Sequence, residues 1–214
     1  SFEQAAMLEP ASVAMHAIRT IRVQKGEKVA VCGLGTIGLL LAMHLKGMGI
    51  ESVYVLGNKE LQQEMAARIG ISKEYYCDTR VENAAGWLMS KTDGEGVDVF
   101  FECVGRNEVV TLALESAAAG GRVMLVGNPA SDMLLQRNVY WQILRKQLTV
   151  MGTWNSSYRH AEEDDWNLVL QAIRQGEIWP ERLISHRFSL EELGRGMEIM
   201  RDKSEDYVKI MAVR

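Results

Sequence analysis

The 214-residue sequence predicts an α/β fold, a doubly wound parallel sheet with helices on both faces, followed by a smaller α+β piece. Three observations carry that prediction. Short apolar runs alternate with stretches of helical spacing. A glycine-rich turn joins the first such run to an amphipathic segment. Beyond about residue 155 the alternation gives way to helices and a single late strand.

Residues 2–22 have helical character, with Val13, His16, Ala17 and Ile21 on one face. Lys25-Gly26-Glu27 makes a turn, and residues 28–32 make a short apolar strand. After the glycines, Ile37, Leu40, Leu41, His44, Leu45 and Met48 recur at helical spacing until Gly49 ends the helix. Residues 53–56 form the second strand, and residues 59–69 a helix ending at Gly70. A short strand at 74–77, a helix at 80–90 and an apolar strand at 98–103 follow. Residues 108–118 read as a helix capped by Asn107 and broken by Gly120-Gly121. Strands at 122–126 and 148–152 complete the sheet. In the tail, Trp166, Val169, Leu170 and Ile173 share one helical face. Ser189-Leu190-Glu191-Glu192 has the form of a capping box, opening a helix that turns Leu193, Met197 and Met200 inward. Residues 207–213 form the last strand.

Composition narrows the classes. Hydrophobic residues are 47% of the chain, enough to bury a full core. A net charge of −4 gives no electrostatic ground for a nucleic-acid partner. No apolar run approaches the ~18–20 residues of a membrane span, and no secretory signal opens the chain. Cys32, Cys77 and Cys103 form no C-x-x-C pair, and two of them lie in apolar runs. They read as reduced thiols, which points to a cytoplasmic setting. The chain opens on a helical pattern with no initiator Met, which reads as a piece of a longer protein.

Cys32-Gly33-Leu34-Gly35-Thr36-Ile37-Gly38 is the strongest chemical signal. Gly33 permits the turn, Gly35 lets backbone approach a diphosphate, and Gly38 packs helix against strand. The diphosphate then meets free N–H groups at the positive end of a helix dipole. This context, strand before and helix after, points to a Rossmann dinucleotide site with NAD or NADP as the cofactor.

The second strand bears on which one. An acid commonly stands about 20 residues on, to hold the adenosine ribose. Here that place reads Gly57-Asn58-Lys59-Glu60. Loss of the acid, with Lys59 able to neutralise a 2′-phosphate, favours NADP(H). The other reading makes Lys59 a solvated cation, with Asn58 or Glu60 serving an NAD(H) ribose. Three more stretches lie at strand C-termini, where such folds bind ligands: Cys103-Val104-Gly105, Val126-Gly127-Asn128 and Gly152-Thr153-Trp154. They are expected to border the nicotinamide.

In order, Ala6-Met7-Leu8-Glu9-Pro10, the glycine loop, Phe101-Glu102-Cys103-Val104-Gly105, Gly120-Gly121-Arg122-Val123, Val126-Gly127-Asn128 and Lys209 resemble the medium-chain zinc-dependent alcohol and polyol dehydrogenases. Residues 143–157, with Asp165-Trp166, look most like the galactitol-1-phosphate dehydrogenase branch, with sorbitol and threonine dehydrogenases as near neighbours. The resemblance implies oxidation of a secondary alcohol, of a polyol or polyol phosphate, to a ketone with hydride transfer to NAD(P)+. It implies Zn2+ in the full-length protein, with Glu9 at the metal as a ligand or close to it, and Lys209 at the cofactor. His16 and His44 read instead as packed or hydrogen-bonded residues.

The resemblance also implies an amino-terminal domain that carries the other zinc ligands and much of the substrate site. Residues 1–16 would be the tail of that catalytic domain, 17–154 the dinucleotide-binding domain, and 155–214 the return to the catalytic domain. On that reading this stretch alone holds no catalytic residue, binds no zinc and does not turn over, since one carboxylate cannot satisfy about four ligand positions. An apolar edge strand near residues 148–154 points to a dimer or tetramer. Two alternatives stay open: a zinc-free NADPH quinone reductase, against which Glu9-Pro10 argues, and a non-catalytic NAD(P)H-binding redox sensor.

Overall fold

The computed structural model describes residues 1–213. The first helix, α1 (Phe2–Ile21), opens on a capping box. The Ser1 hydroxyl accepts from the Gln4 backbone, and the Gln4 side chain accepts from the Ser1 amino group. There follow β1 (Val29–Cys32), α2 (Thr36–Gly47), β2 (Val53–Gly57), α3 (Glu60–Arg68), β3 (Tyr76–Asp78) and α4 (Ala84–Lys91). The second half of the sheet is built from β4 (Val97–Glu102), α5 (Asn107–Ser116), β5 (Ala117–Leu125), α6 (Arg137–Arg145) and β6 (Thr149–Gly152). The tail holds α7 (Asp165–Gln175), β7 (Ile184–Phe188), α8 (Leu193–Asp202) and β8 (Lys209–Ala212).

The first six strands form one parallel sheet in the order β3-β2-β1-β4-β5-β6. The chain winds outward from β1 in one direction and from β4 in the other, so the order reverses between these two neighbours. At such a switch point the connecting helices part to opposite faces and leave a crevice beyond the strand ends. Both faces are filled. Val29, Val31, Val55, Val99 and Phe101 pack with α1 and α2 in one core. Ala30, Cys32, Leu56, Phe100 and Val123 pack with α4, α5 and α6 in the other. Burial on both sides is why β1 and β2 read as unbroken apolar runs rather than alternating ones.

The tail adds a two-stranded parallel sheet of β7 and β8, with α8 between them in sequence. It leans on the first core through Leu183, Ile184, Val208 and Met211. The α/β doubly wound sheet with a small α+β addition is the architecture expected from the sequence.

Several elements depart from expectation. The inward face of α1 is Met7, Ala11, Ala14, Ile18 and Ile21 with Ala17, while Val13 and His16 are only half-buried at its margin. α4 starts at Ala84 rather than residue 80, because the Asn83 side chain caps it by accepting from the Gly86 N–H. Asn107 does not cap α5. It lies inside the helix, and its side chain bridges to Leu134 and Asp132 instead. Gly120-Gly121 do not break that helix either: α5 ends at Ser116 and β5 begins at once, with both glycines inside the strand. The helix α6 was not among the expected elements, although Val139 and Ile143, one turn apart, form an apolar stripe that packs on the second core. The Ser189–Glu192 reciprocal bonds form, both at 3.3 Å, but α8 turns Gly196 and Ile199 inward and leaves Met197 and Met200 exposed.

Candidate functional site

The crevice begins where β1 ends. Gly33 has φ +98°, a left-handed conformation, and a Cβ on it would stand 2.5 Å from Val104 Cγ2. A Cβ on Gly38 would stand 2.0 Å from the Gly33 carbonyl oxygen, so the start of α2 rests directly on the loop. Gly35 differs. It is the N-cap of α2, lacks a side-chain cap, and faces open space where a Cβ would point. The N–H groups of Thr36, Ile37 and Gly38 in the first turn have no intrahelical acceptor. The loop therefore offers backbone donors, the positive end of a helix dipole and room for a group to approach.

The ends of β4 and β5 are joined by Glu102, a residue to which the sequence reading gave no role of its own. Its buried carboxylate accepts from the Val104 and Gly105 N–H groups at 2.7 and 2.8 Å. Its carbonyl accepts from Val126 and Gly127 at 2.8 and 2.9 Å. One residue thus sets both Cys103-Val104-Gly105 and Val126-Gly127-Asn128, which meet so closely that a Cβ on Gly127 would lie 2.1 Å from the Gly105 nitrogen. An acid directly ahead of a Cys-Val-Gly turn was the signal that could have found it.

Glu9 and Val13 of α1 come together with Val126 beyond β5 and Thr153, Trp154 and Asn155 beyond β6 around a cavity of about 290 Å3. Thr153 donates its N–H to Leu125, but its hydroxyl is buried with no partner among the described residues. An orphaned polar atom in such a place is a donor and acceptor waiting for a ligand or a water. These features fit a nicotinamide dinucleotide: donors for a diphosphate at one end and an unpartnered hydroxyl for a carboxamide at the other. They do not make a zinc site. Among the described residues no three His, Cys, Asp or Glu side chains gather, and Glu9 brings one donor where about four are needed.

At the end of β2, a Cβ on Gly57 would meet Tyr76 Oη at 2.7 Å and Gln62 Oε1 at 2.8 Å, so an acid there would have to displace the ends of both side chains. Asn58 is exposed and donates its N–H to Gln62 Oε1. Lys59, the cation that in the sequence favours NADP(H), pairs its ammonium with Asp206 at 2.5 Å, both side chains close to half exposed. The tail reaches this edge because the Thr36 hydroxyl donates to the Val208 carbonyl at 2.6 Å, which sets Lys209 beside the start of α2. The exposed Gly152 ends β6, next to Thr153.

The histidines and thiols lie outside this chemistry. His44 is buried and bonds the Ala11 carbonyl at 3.0 Å, while desolvation brings its pKa down to about 4. His16 bonds Asp165 at 2.8 Å. Cys32 and Cys77 are buried free thiols pushed up to about 12 by desolvation, and Cys103 is raised by the same cause, so none is poised as a nucleophile. Among the described residues no helix is long and apolar enough to cross a membrane.

A family model described as zinc-binding dehydrogenase matches residues 36–175. Similar proteins include (R,R)-butanediol dehydrogenase of Neisseria gonorrhoeae, 32% identical over 98% of this chain and 56% of that protein. Among solved structures, 2R,3R-butanediol dehydrogenase from Bacillus subtilis has a TM-score of 0.86 and 29% identity, covering all of this chain and 58% of its own. Galactitol-1-phosphate dehydrogenase from Escherichia coli has a TM-score of 0.88 at 24% identity, covering all of this chain and 61% of its own, a likeness of fold. These matches do not single out the galactitol-1-phosphate branch. The chain spans about half the length of the curated relatives it matches.

Proposed function

The chain belongs to the zinc-binding dehydrogenase family, and from that premise we propose that it is the dinucleotide-binding part of an enzyme oxidising a secondary alcohol of a polyol to a ketone, with hydride passing to NAD(P)+. The observation that carries this reading is the convergence of Glu9, Val126 and the orphaned Thr153 hydroxyl on one cavity, at the same sheet edge as the open glycine loop.

Each residue has a stated task. The backbone of Gly35, Thr36, Ile37 and Gly38 holds the diphosphate. Cys103, Val104, Val126, Gly127, Asn128 and Gly152 wall the nicotinamide end, and Thr153 donates to the carboxamide and fixes the ring face turned to the alcohol. A held ring is what hydride transfer requires, since the donor carbon must approach within van der Waals contact in one orientation. Gly57, Asn58 and Lys59 border the adenosine ribose, and Lys209 lies on the diphosphate side. Glu9 faces the alcohol end, where its carboxylate would bring one donor to the family's metal. Polyol phosphates of the galactitol 1-phosphate kind are within the substrate class, supported by the resemblance of residues 143–157 to that branch.

The test is Gly35→Asp. The position has open space and sits at a helix N-cap, where Asp is favoured, so the fold is expected to keep or gain stability. The new carboxylate stands where the diphosphate lies, so NADH binding, followed by nicotinamide fluorescence, is expected to weaken about a hundredfold. Unchanged NADH affinity in a folded Gly35→Asp protein overturns the reading.

A further inference from the structure

The geometry points to Asp206 as the residue that discriminates a ribose 2′-hydroxyl from a 2′-phosphate, favouring NAD(H) over NADP(H); this rests on the dinucleotide reading above. The place where a Rossmann fold commonly puts its ribose-binding acid is closed here. The Tyr76 hydroxyl that fills it is fixed by donating to the Lys59 carbonyl at 3.1 Å, and Gln62 Oε1 is fixed by the Asn58 N–H at 2.9 Å. An acid reaches Lys59 instead from 147 positions later in the chain. Asp206 lies just before Val208, whose carbonyl is anchored to Thr36 at the start of α2, and its carboxylate pairs with Lys59 at the N-cap of α3.

Charge decides the direction. Two cations flank the end of β2. Lys59 pairs with Asp206, and Arg80 makes a two-pronged pair with Asp78 through bonds of 2.6 to 3.2 Å. Arg80 follows Thr79, whose N–H and hydroxyl both donate to the Gly57 carbonyl, so it belongs to the same edge. Each cation is neutralised by a carboxylate within the chain. A 2′-phosphate, carrying close to two negative charges, would meet Asp206 and Asp78 and would have to displace one of them to gain a cation. A 2′-hydroxyl meets no such repulsion. Among the described residues no donor reaches Oδ2 of Asp206, which leaves that oxygen free to accept a hydrogen bond from the hydroxyl.

The experiment titrates NADH and NADPH separately into the wild-type chain, Asp206→Asn and Lys59→Gln, with circular dichroism to check folding. Both side chains are close to half exposed, so both variants are expected to fold. Wild type is expected to bind NADH more tightly. Asp206→Asn frees Lys59 and is expected to tighten NADPH about tenfold while NADH weakens only a few-fold. Lys59→Gln leaves Asp206 unopposed and is expected to weaken NADPH further. An NADPH-to-NADH ratio that stays within about twofold in folded Asp206→Asn, with both cofactors bound, overturns the proposal alone. Folded wild type that binds neither cofactor overturns the dinucleotide reading and the proposal together.

Discussion

Asp165, wholly buried at the first residue of α7, accepts a 2.6 Å hydrogen bond from the guanidinium of Arg19 near the end of α1. The same carboxylate accepts from His16 at 2.8 Å and from the N–H and hydroxyl of Ser157 at 2.6 and 2.7 Å. It therefore ties α1 and α7 to the loop beyond β6 that carries Thr153. Burial alone would raise this carboxyl, but the Ser157 bonds, then Arg19 and His16, outweigh burial and hold it below the usual carboxylate range.

Asp165→Asn keeps the shape and removes the charge, leaving Arg19 without its carboxylate. It is expected to cost about 3 kcal/mol in urea unfolding at pH 7. A folded-state pKa below the unfolded one gives stability that is present above about pH 4 and lost as pH falls further. That acid limb is expected to be missing in Asp165→Asn, and a loss under about 1 kcal/mol at pH 7 would show the charge to be dispensable.

His44 acts in a different window. Its folded-state pKa of about 4 lies below the ordinary imidazole value, so the unfolded chain takes up a proton first as the pH drops. The native state is fully favoured above about pH 6.5, and roughly 3 kcal/mol is lost between there and pH 4. His44→Gln, which does not titrate, is expected to flatten this slope. Equal slopes for wild type and His44→Gln in unfolding series from pH 7 to 4.5 would contradict it.

Thr153→Val removes a buried hydroxyl with no partner among the described residues. The free chain is expected to be unchanged or more stable by up to about 1 kcal/mol. NADH affinity is expected to fall about tenfold, the loss of one hydrogen bond to the carboxamide. A destabilised Thr153→Val with normal NADH affinity would show that the hydroxyl serves the fold.

β6 is the sheet's outer strand on this side, with Thr149, Val150 and Gly152 exposed. An uncovered strand of this kind invites a second copy. Sedimentation velocity is expected to give a concentration-dependent dimer that Val150→Lys shifts to monomer. A wild type that stays monomeric at high concentration would rule this pairing out.

The parts most legible in the sequence were those with strong local causes. β1, β2 and β4 announced themselves because strands buried on both faces can hold little but apolar residues. Gly33 and Gly38 did so because no larger residue fits their places. α8 misled because Met197 and Met200 share a helical spacing with nothing to mark which stripe is buried, and the buried stripe holds a glycine, Gly196, beside Ile199. Lys59 looked free because its partner lies 147 positions away, and Glu102 and Asp165 were silent because their roles come from backbone and side chains that only the folded chain assembles. Local pattern reports burial and turns; it does not report pairings made across the whole chain.

The Thr36–Val208 hydrogen bond spans 172 positions, and this has a consequence for how the protein is made. The glycine loop leaves the ribosome well ahead of the segment that flanks it. Contacts between such distant parts close slowly, after the local βαβ units have formed. The nascent sheet thus carries an exposed, incomplete pocket until the Val208 segment has emerged. A dinucleotide that touches both segments would favour the docked tail in proportion to its occupancy, and on the proposed function it would then serve as a late folding partner.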